Sequence, residues 1–175
     1  YVELGAGWPV KNSNTYLLET KYGWNGVSFE NGKKRVKKYN QKRKNKTLLQ
    51  DAITFDYLKY FYDNNFPKQI DYLQMDIHPA EDTLLALKNI PLDRYRFSVI
   101  TYEHNGYQNK QNQIESQRIL KQYGYKLVVE GLMLNDGVWY EDWWVDPLAV
   151  DYESYKEFIA EYITHHELFN GANIK

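Results

Sequence analysis

A chain of 175 residues can form one domain that buries about 70% of its unfolded surface, and 43% hydrophobic and 17% aromatic content excludes a mainly disordered chain. The formal net charge of −1 gives no global attraction to nucleic acid or an anionic membrane. The absence of cysteine excludes disulfides, thiolate nucleophiles and thiolate metal sites, and no apolar run approaches the ~18 residues of a membrane span, so a cytoplasmic protein is the default expectation.

Val2 to Leu4 reads as a first strand ending in the turn Gly5-Ala6-Gly7. A core strand this close to Tyr1 raises the expectation of a segment upstream. Ser13 or Asn14 is placed to cap a helix carrying Tyr16, Leu17 and Leu18, closed by Gly23. Gly26 to Glu30 is a second strand that ends on an acid. Lys33 to Lys46 holds nine Lys and Arg and reads as a solvated helix. Thr47 to Leu49 is a third strand, followed by Asp51-Ala52, with a helix predicted over Thr54 to Tyr62.

Ile70 to Ile77 is apolar enough for a buried fourth strand, and Pro79 suits the first turn of the helix after it. Phe97 to Tyr102 is a fifth strand leading into Glu103-His104-Asn105. A helix over Ile114 to Gln122 precedes two strands, Tyr125 to Glu130 and Val138 to Val145, joined through Asn135-Asp136-Gly137. A terminal amphipathic helix is predicted over Tyr152 to His165. Alternating strands and helices imply a parallel sheet with right-handed crossovers. The closing hairpin adds an antiparallel strand. The expected fold is therefore a single α/β domain over 1–175, with a mostly parallel seven-stranded sheet, a C-terminal antiparallel hairpin and helices on both faces.

Ligands of such sheets bind beyond the carboxyl ends of the strands. Glu3, Gly5 and Gly7 end the first strand, where glycines permit close backbone approach and an acid can hold an ammonium group. Glu30 ends the second, where an acid commonly accepts ribose hydroxyls. Asp51 can accept from an adenine amino group beside the small Ala52, or cap the next helix. Asp76 and His78 end the fourth strand, and Glu103, His104 and Asn105 the fifth. This order of polar residues at one sheet edge points to a nucleotide-type cofactor.

The blocks Glu3-Leu4-Gly5-Ala6-Gly7, Ser13-Asn14-Thr15-Tyr16-Leu17-Leu18-Glu19, Gly23 to Glu30, Asp51-Ala52, Ile70 to Ile77 and Val99 to His104 give the sequence a resemblance to FkbM-type methyltransferases. Gly124-Tyr125 and Glu141-Asp142-Trp143-Trp144 also match. The resemblance implies a Rossmann-like class I methyltransferase fold that binds S-adenosylmethionine and acts on hydroxyls of sugars or natural products. It implies Glu3, Gly5, Glu30 and Asp51 as cofactor contacts; Ala6, Gly7, Ser13, Asn14, Ala52 and Asp76 complete the expected set. His78-Pro79 departs from the acid and glycine that many relatives carry after Asp-Ile.

An alcohol acceptor requires a proton acceptor with a pKa near working pH. His78, following Asp76, is the leading expectation, with Asp76 beside it and His104 second. No spacing motif demands a metal. The acceptor is expected to be a small molecule or glycan rather than nucleic acid or membrane. Two alternatives stand: a non-catalytic cofactor-binding scaffold, and nucleic-acid binding through the basic 33–46 segment. A dehydrogenase, whose ribose Glu30 also suits, is a weaker option. Of Trp139, Trp143 and Trp144, two or more are expected to pack the hairpin.

Overall fold

A computed structural model describes residues 1–134 and 137–171. Asn135 and Asp136 of the expected hairpin loop lie outside the described residues. The sheet has eight strands: β1 (Val2–Leu4), β2 (Val27–Glu30), β3 (Thr47–Leu49), β4 (Gln69–Met75), β5 (Arg96–Glu103), β6 (Lys126–Met133), β7 (Trp139–Val145) and β8 (Ala160–Glu161). Their order is β3-β2-β1-β4-β5-β7-β6-β8. Strands β1 to β5 pair in parallel, and β7 runs antiparallel between β5 and β6. The two-residue β8, parallel to β6, is one strand more than the seven expected.

The crossovers are α1 (Tyr16–Tyr22), α2 (Lys33–Lys42), α3 (Tyr57–Asp63), α4 (Ala80–Asn89) and α5 (Lys110–Gln122), with α6 (His165–Gly171) at the end. Alternation along the strands divides the sheet into two unlike faces. One face carries Leu4, Phe29, Leu73, Met75, Ile100, Tyr102 and Trp144, and packs against Tyr57 and Phe61 of α3, Leu87 of α4 and Leu120 of α5. Phe61 alone has ring partners in Tyr57, Tyr60, Phe66 and Tyr95.

The opposite face is polar at its centre. Glu3 accepts hydrogen bonds from Thr15 Oγ1 (2.9 Å), Ser28 Oγ (2.5 Å) and the Tyr39 hydroxyl (3.1 Å). Arg43, whose side chain is fully enclosed, pairs with Glu19 at 2.9 Å and donates to Pro9 O, Ser13, Thr15 and Tyr1. This network binds α1 and α2 to β1 and β2, and it changes two expectations. The residue that starts α1 is Thr15, whose hydroxyl turns to Glu3 instead of capping, so neither Ser13 nor Asn14 is the N-cap. Glu19 is buried on α1 while Leu17 is exposed, because the helix faces a polar layer.

The predicted helix over Tyr152 to His165 does not form. Two 3-10 turns, Tyr152–Ser154 and Lys156–Phe158, lead through β8 to a left-handed Tyr162. The helix starts instead at His165, where Thr164 and Glu167 form a capping box: Glu167 N donates to Thr164 Oγ1 and Thr164 N to Glu167 Oε2. The apolar spacing that suggested a helix serves another purpose: Tyr155 and Phe158 pack with Val129, Leu132 and Val145 of the hairpin and with Leu168.

Candidate active site

Parallel pairing brings the carboxyl ends of β1 to β5 to one edge, and the antiparallel β7 adds its opening residues there. Gly5 follows β1 with φ +85°, and a Cβ at this position would stand 1.7 Å from the carbonyl oxygen of Asp76. Only glycine lets the ends of β1 and β4 approach so closely. Gly7 (φ +55°) donates its N–H to Glu30 Oε2 at 3.2 Å, and Gly32 N donates to Glu30 Oε1 at 2.7 Å. Glu30 thus ties the first turn to the start of α2; Oε2 also pairs with Arg35 at 3.6 Å, and Oε1 retains a lone pair.

These ends enclose two neighbouring spaces. The first, about 270 Å³, is walled by Gly5, Gly7, Phe29, Glu30, Asp51, Ala52, Asp76 and His78, with Trp8 and Arg35 at its sides. Asp51 Oδ1 accepts from Ile53 N at 2.9 Å in an Asx turn, and Asp56 caps α3. The helix-capping alternative for Asp51 is thereby excluded. The second, a cleft of about 840 Å³, is lined by Asp76, Glu103, Glu141, Tyr72, Tyr140, Trp143 and His165, with Ser13 and Asn14 on its far wall. Asp76 belongs to both.

The floor of the cleft is acidic. Asp76 and Glu103 stand side by side where β4 and β5 end, and burial raises both pKa values. Glu103 is pushed up to about 8, by burial first and then by the neighbouring Asp76 charge. Glu141 lies opposite Glu103 in the β5–β7 register and is raised to about 7 by burial, although it accepts from the Trp143 indole. Asn105 Nδ2 donates to Glu103 at 2.7 Å. The Tyr72 hydroxyl is hydrogen-bonded to Thr101 at 2.7 Å, and His165 reaches the Tyr140 hydroxyl at 3.4 Å. Such a floor offers acceptors for hydroxyl hydrogens, with aromatic walls around them.

Several sequence-predicted residues lie elsewhere. Glu3 lines neither space, because its carboxylate is taken up by the buried network. Ala6 is buried and donates its N–H to Phe29 O. Ser13 and Asn14 face the cleft rather than the smaller cavity. His78 is at the exposed rim of the cavity and not in the cleft. His104 is fully buried: Nδ1 accepts from Gly106 N at 2.8 Å, which leaves Nε2 to donate to Asp142 at 3.2 Å. With both nitrogens engaged, it is a structural residue and cannot act as the base. Asp142, also fully buried, further accepts from Gln113, Gln117 and Gly131 N.

Glu103 was expected only as a polar residue ending the fifth strand, and Glu141, Tyr72, Tyr140 and His165 were not among the expected site residues. The alternation Glu141-Asp142-Trp143-Trp144 carried the signal for one of them. It sends Glu141 and Trp143 to the cleft, and Asp142 and Trp144 inward.

Comparison with known proteins places this geometry in a family. A model of the methyltransferase FkbM domain matches residues 5–127. No curated protein is similar enough in sequence to be matched. Among solved structures, the Dnmt2 methyltransferase of S. pombe superposes with a TM-score of 0.55 at 16% identity, covering 82% of this chain and 48% of that one. The methyltransferase domain of a bacterial Hen1 gives 0.54 at 12% identity, covering 82% and 87%. A Streptococcus mutans methyltransferase in complex with SAH gives 0.51 at 13%, again covering 82% and 87%. At these identities the likeness is one of fold. The family match spans most of the chain, and with the class I architecture it shows that this chain belongs to the FkbM methyltransferase family, whose methyl donor is S-adenosylmethionine.

Proposed function

We propose that the chain methylates a hydroxyl of a small polyhydroxylated acceptor, such as a sugar or natural product, with Asp76 at the point where donor and acceptor meet. The observation that carries this reading is the place of Asp76 in the walls of both spaces, beside Glu103 at the end of β5. The residues present fit the cofactor. Glu30 Oε1 keeps a free lone pair for a ribose hydroxyl, Asp51 has acceptor capacity for an adenine amino group, and Ala52 leaves room for a flat ring. S-adenosylmethionine supplies an electrophilic methyl when bound. The protein's part is to align the acceptor oxygen, exclude water and take up the proton.

The proton goes to the Asp76–Glu103 pair. Two carboxyls sharing one proton have a combined affinity set by burial and mutual repulsion, which here brings Glu103 close to working pH. Glu141, Tyr72 and Thr101 would orient further hydroxyls, with Trp143 and Tyr140 as apolar walls for a ring. His78 loses the role expected for it, since it faces only the smaller cavity.

The test is transfer of labelled methyl from S-adenosylmethionine to a panel of monosaccharides, oligosaccharides and hydroxylated natural products, with product analysis by mass spectrometry. A methyl ether whose formation falls about 100-fold or more in Glu103→Gln supports the reading. An N-methyl product, or full activity in that variant, would overturn it.

A further inference from the structure

A third depression lies outside the two spaces described, between the loop after β1 and helix α2. It is lined by Trp8, Pro9, Val10, Lys11, Lys38 and Lys42. Trp8 is 47% exposed, and the Lys38 ammonium sits 4.7 Å from its ring centroid. Lys11, Lys38 and Lys42 are exposed, and among the described residues no acid lies within ion-pair distance of any of them. This is an uncompensated positive patch on a chain whose net charge is −1. It does not stand apart from the site. Trp8 also borders the cofactor cavity, and Val10 also borders the acceptor cleft.

We propose that this groove holds the nucleoside diphosphate half of a nucleotide-linked sugar, whose sugar half enters the acceptor cleft. The inference rests on the reading of that cleft as the acceptor site. The charges argue for it. The cleft floor, formed by Asp76, Glu103 and Glu141, accepts hydroxyls and repels phosphates, so the part of the acceptor that enters must be neutral. Directly beside it, the three lysines stand without an ion pair among the described residues, which suits a compact anion. An exposed indole among those lysines gives a base a face to stack on. An acceptor neutral and hydroxylated at one end, and anionic and aromatic at the other, matches both surfaces at once. A continuous nucleic-acid strand would have to carry further phosphates toward the carboxyls.

The test is calorimetric titration of the protein, saturated with S-adenosylhomocysteine, with uridine, thymidine, guanosine and cytidine diphosphates, inorganic diphosphate and a short single-stranded RNA. At least one nucleoside diphosphate should bind about tenfold more tightly than inorganic diphosphate, through stacking. In Lys38→Glu/Lys42→Glu its affinity should fall by about 30-fold or more. Neither lysine lines the cofactor cavity or the cleft, so retained affinity for S-adenosylhomocysteine reports intact folding. Absence of nucleoside diphosphate binding, binding unmoved by the charge reversal, or tighter binding of the RNA than of every nucleoside diphosphate would overturn the proposal. Failure of S-adenosylhomocysteine to bind the unaltered protein counts against the methyltransferase reading instead. The nucleotide titration, repeated without it, still reads the groove.

Discussion

At the scale of single residues, the two histidines of the site edge separate cleanly from the carboxyls. Glu103→Gln and Asp76→Asn should each lower methyl transfer by about 100-fold or more, the range for loss of a general base, whereas His78→Gln should leave most of kcat. His104→Ala should act on folding. It removes one donor from the buried Asp142 and should cost about 1–3 kcal/mol, read as a lower Tm with transfer per folded molecule retained. The raised pKa of Glu103, about 8, also sets a pH dependence. The pair must hold fewer protons to accept one, so kcat/KM should rise with pH through about 8, and that limb should vanish in Glu103→Gln. The sign for stability is opposite. A carboxyl with its folded pKa raised above the ordinary 4.5 contributes stability that is present below 4.5 and lost as pH rises through the folded value. Without cofactor, Tm should therefore fall between about pH 5 and 8, and less so in Glu103→Gln or Glu141→Gln; an unchanged slope would contradict this.

At the scale of elements, α1 and α2 are held to the sheet by a polar layer, and α3 to α5 by an aromatic one. Arg43→Ala would leave Glu19 buried without its partner and should cost about 3–5 kcal/mol. Phe61→Ala opens a cavity in the aromatic layer and should cost a similar amount, about 3–5 kcal/mol. Urea denaturation distinguishes both from an exposed substitution such as Lys37→Ala, which should be near neutral. These layers explain what was legible in the sequence. The strands β1 to β7 and most of the helices between them follow from period and punctuation, because most bury apolar residues or lie next to a glycine or proline. The terminal segment misled because Tyr155, Phe158 and Tyr162 have helical spacing although two 3-10 turns and a short strand carry them along the hairpin. The capping box Thr164-His165-His166-Glu167 was the better signal. The hydrogen-bonding of Glu3 and His104 was not legible, since an acid or imidazole at a strand end looks the same whether it faces a ligand or the interior. Only the register of β5 against β7 sets Glu141 beside Glu103.

At the scale of the whole molecule, charge is arranged as zones that a net charge of −1 conceals. Lysines surround the outer groove, carboxyls floor the cleft, and Asp76 joins the cleft to the cofactor cavity. On the proposed reading, that arrangement gives donor and acceptor adjoining spaces and a single meeting point. The most direct measurement of it is a crystal structure of the protein with S-adenosylhomocysteine. The account predicts ribose hydroxyls on Glu30, adenine beside Asp51 and Ala52, and the sulfur directed past Asp76 toward Glu103. Adenosine bound outside this cavity, or a sulfur directed away from the Asp76–Glu103 pair, would contradict it.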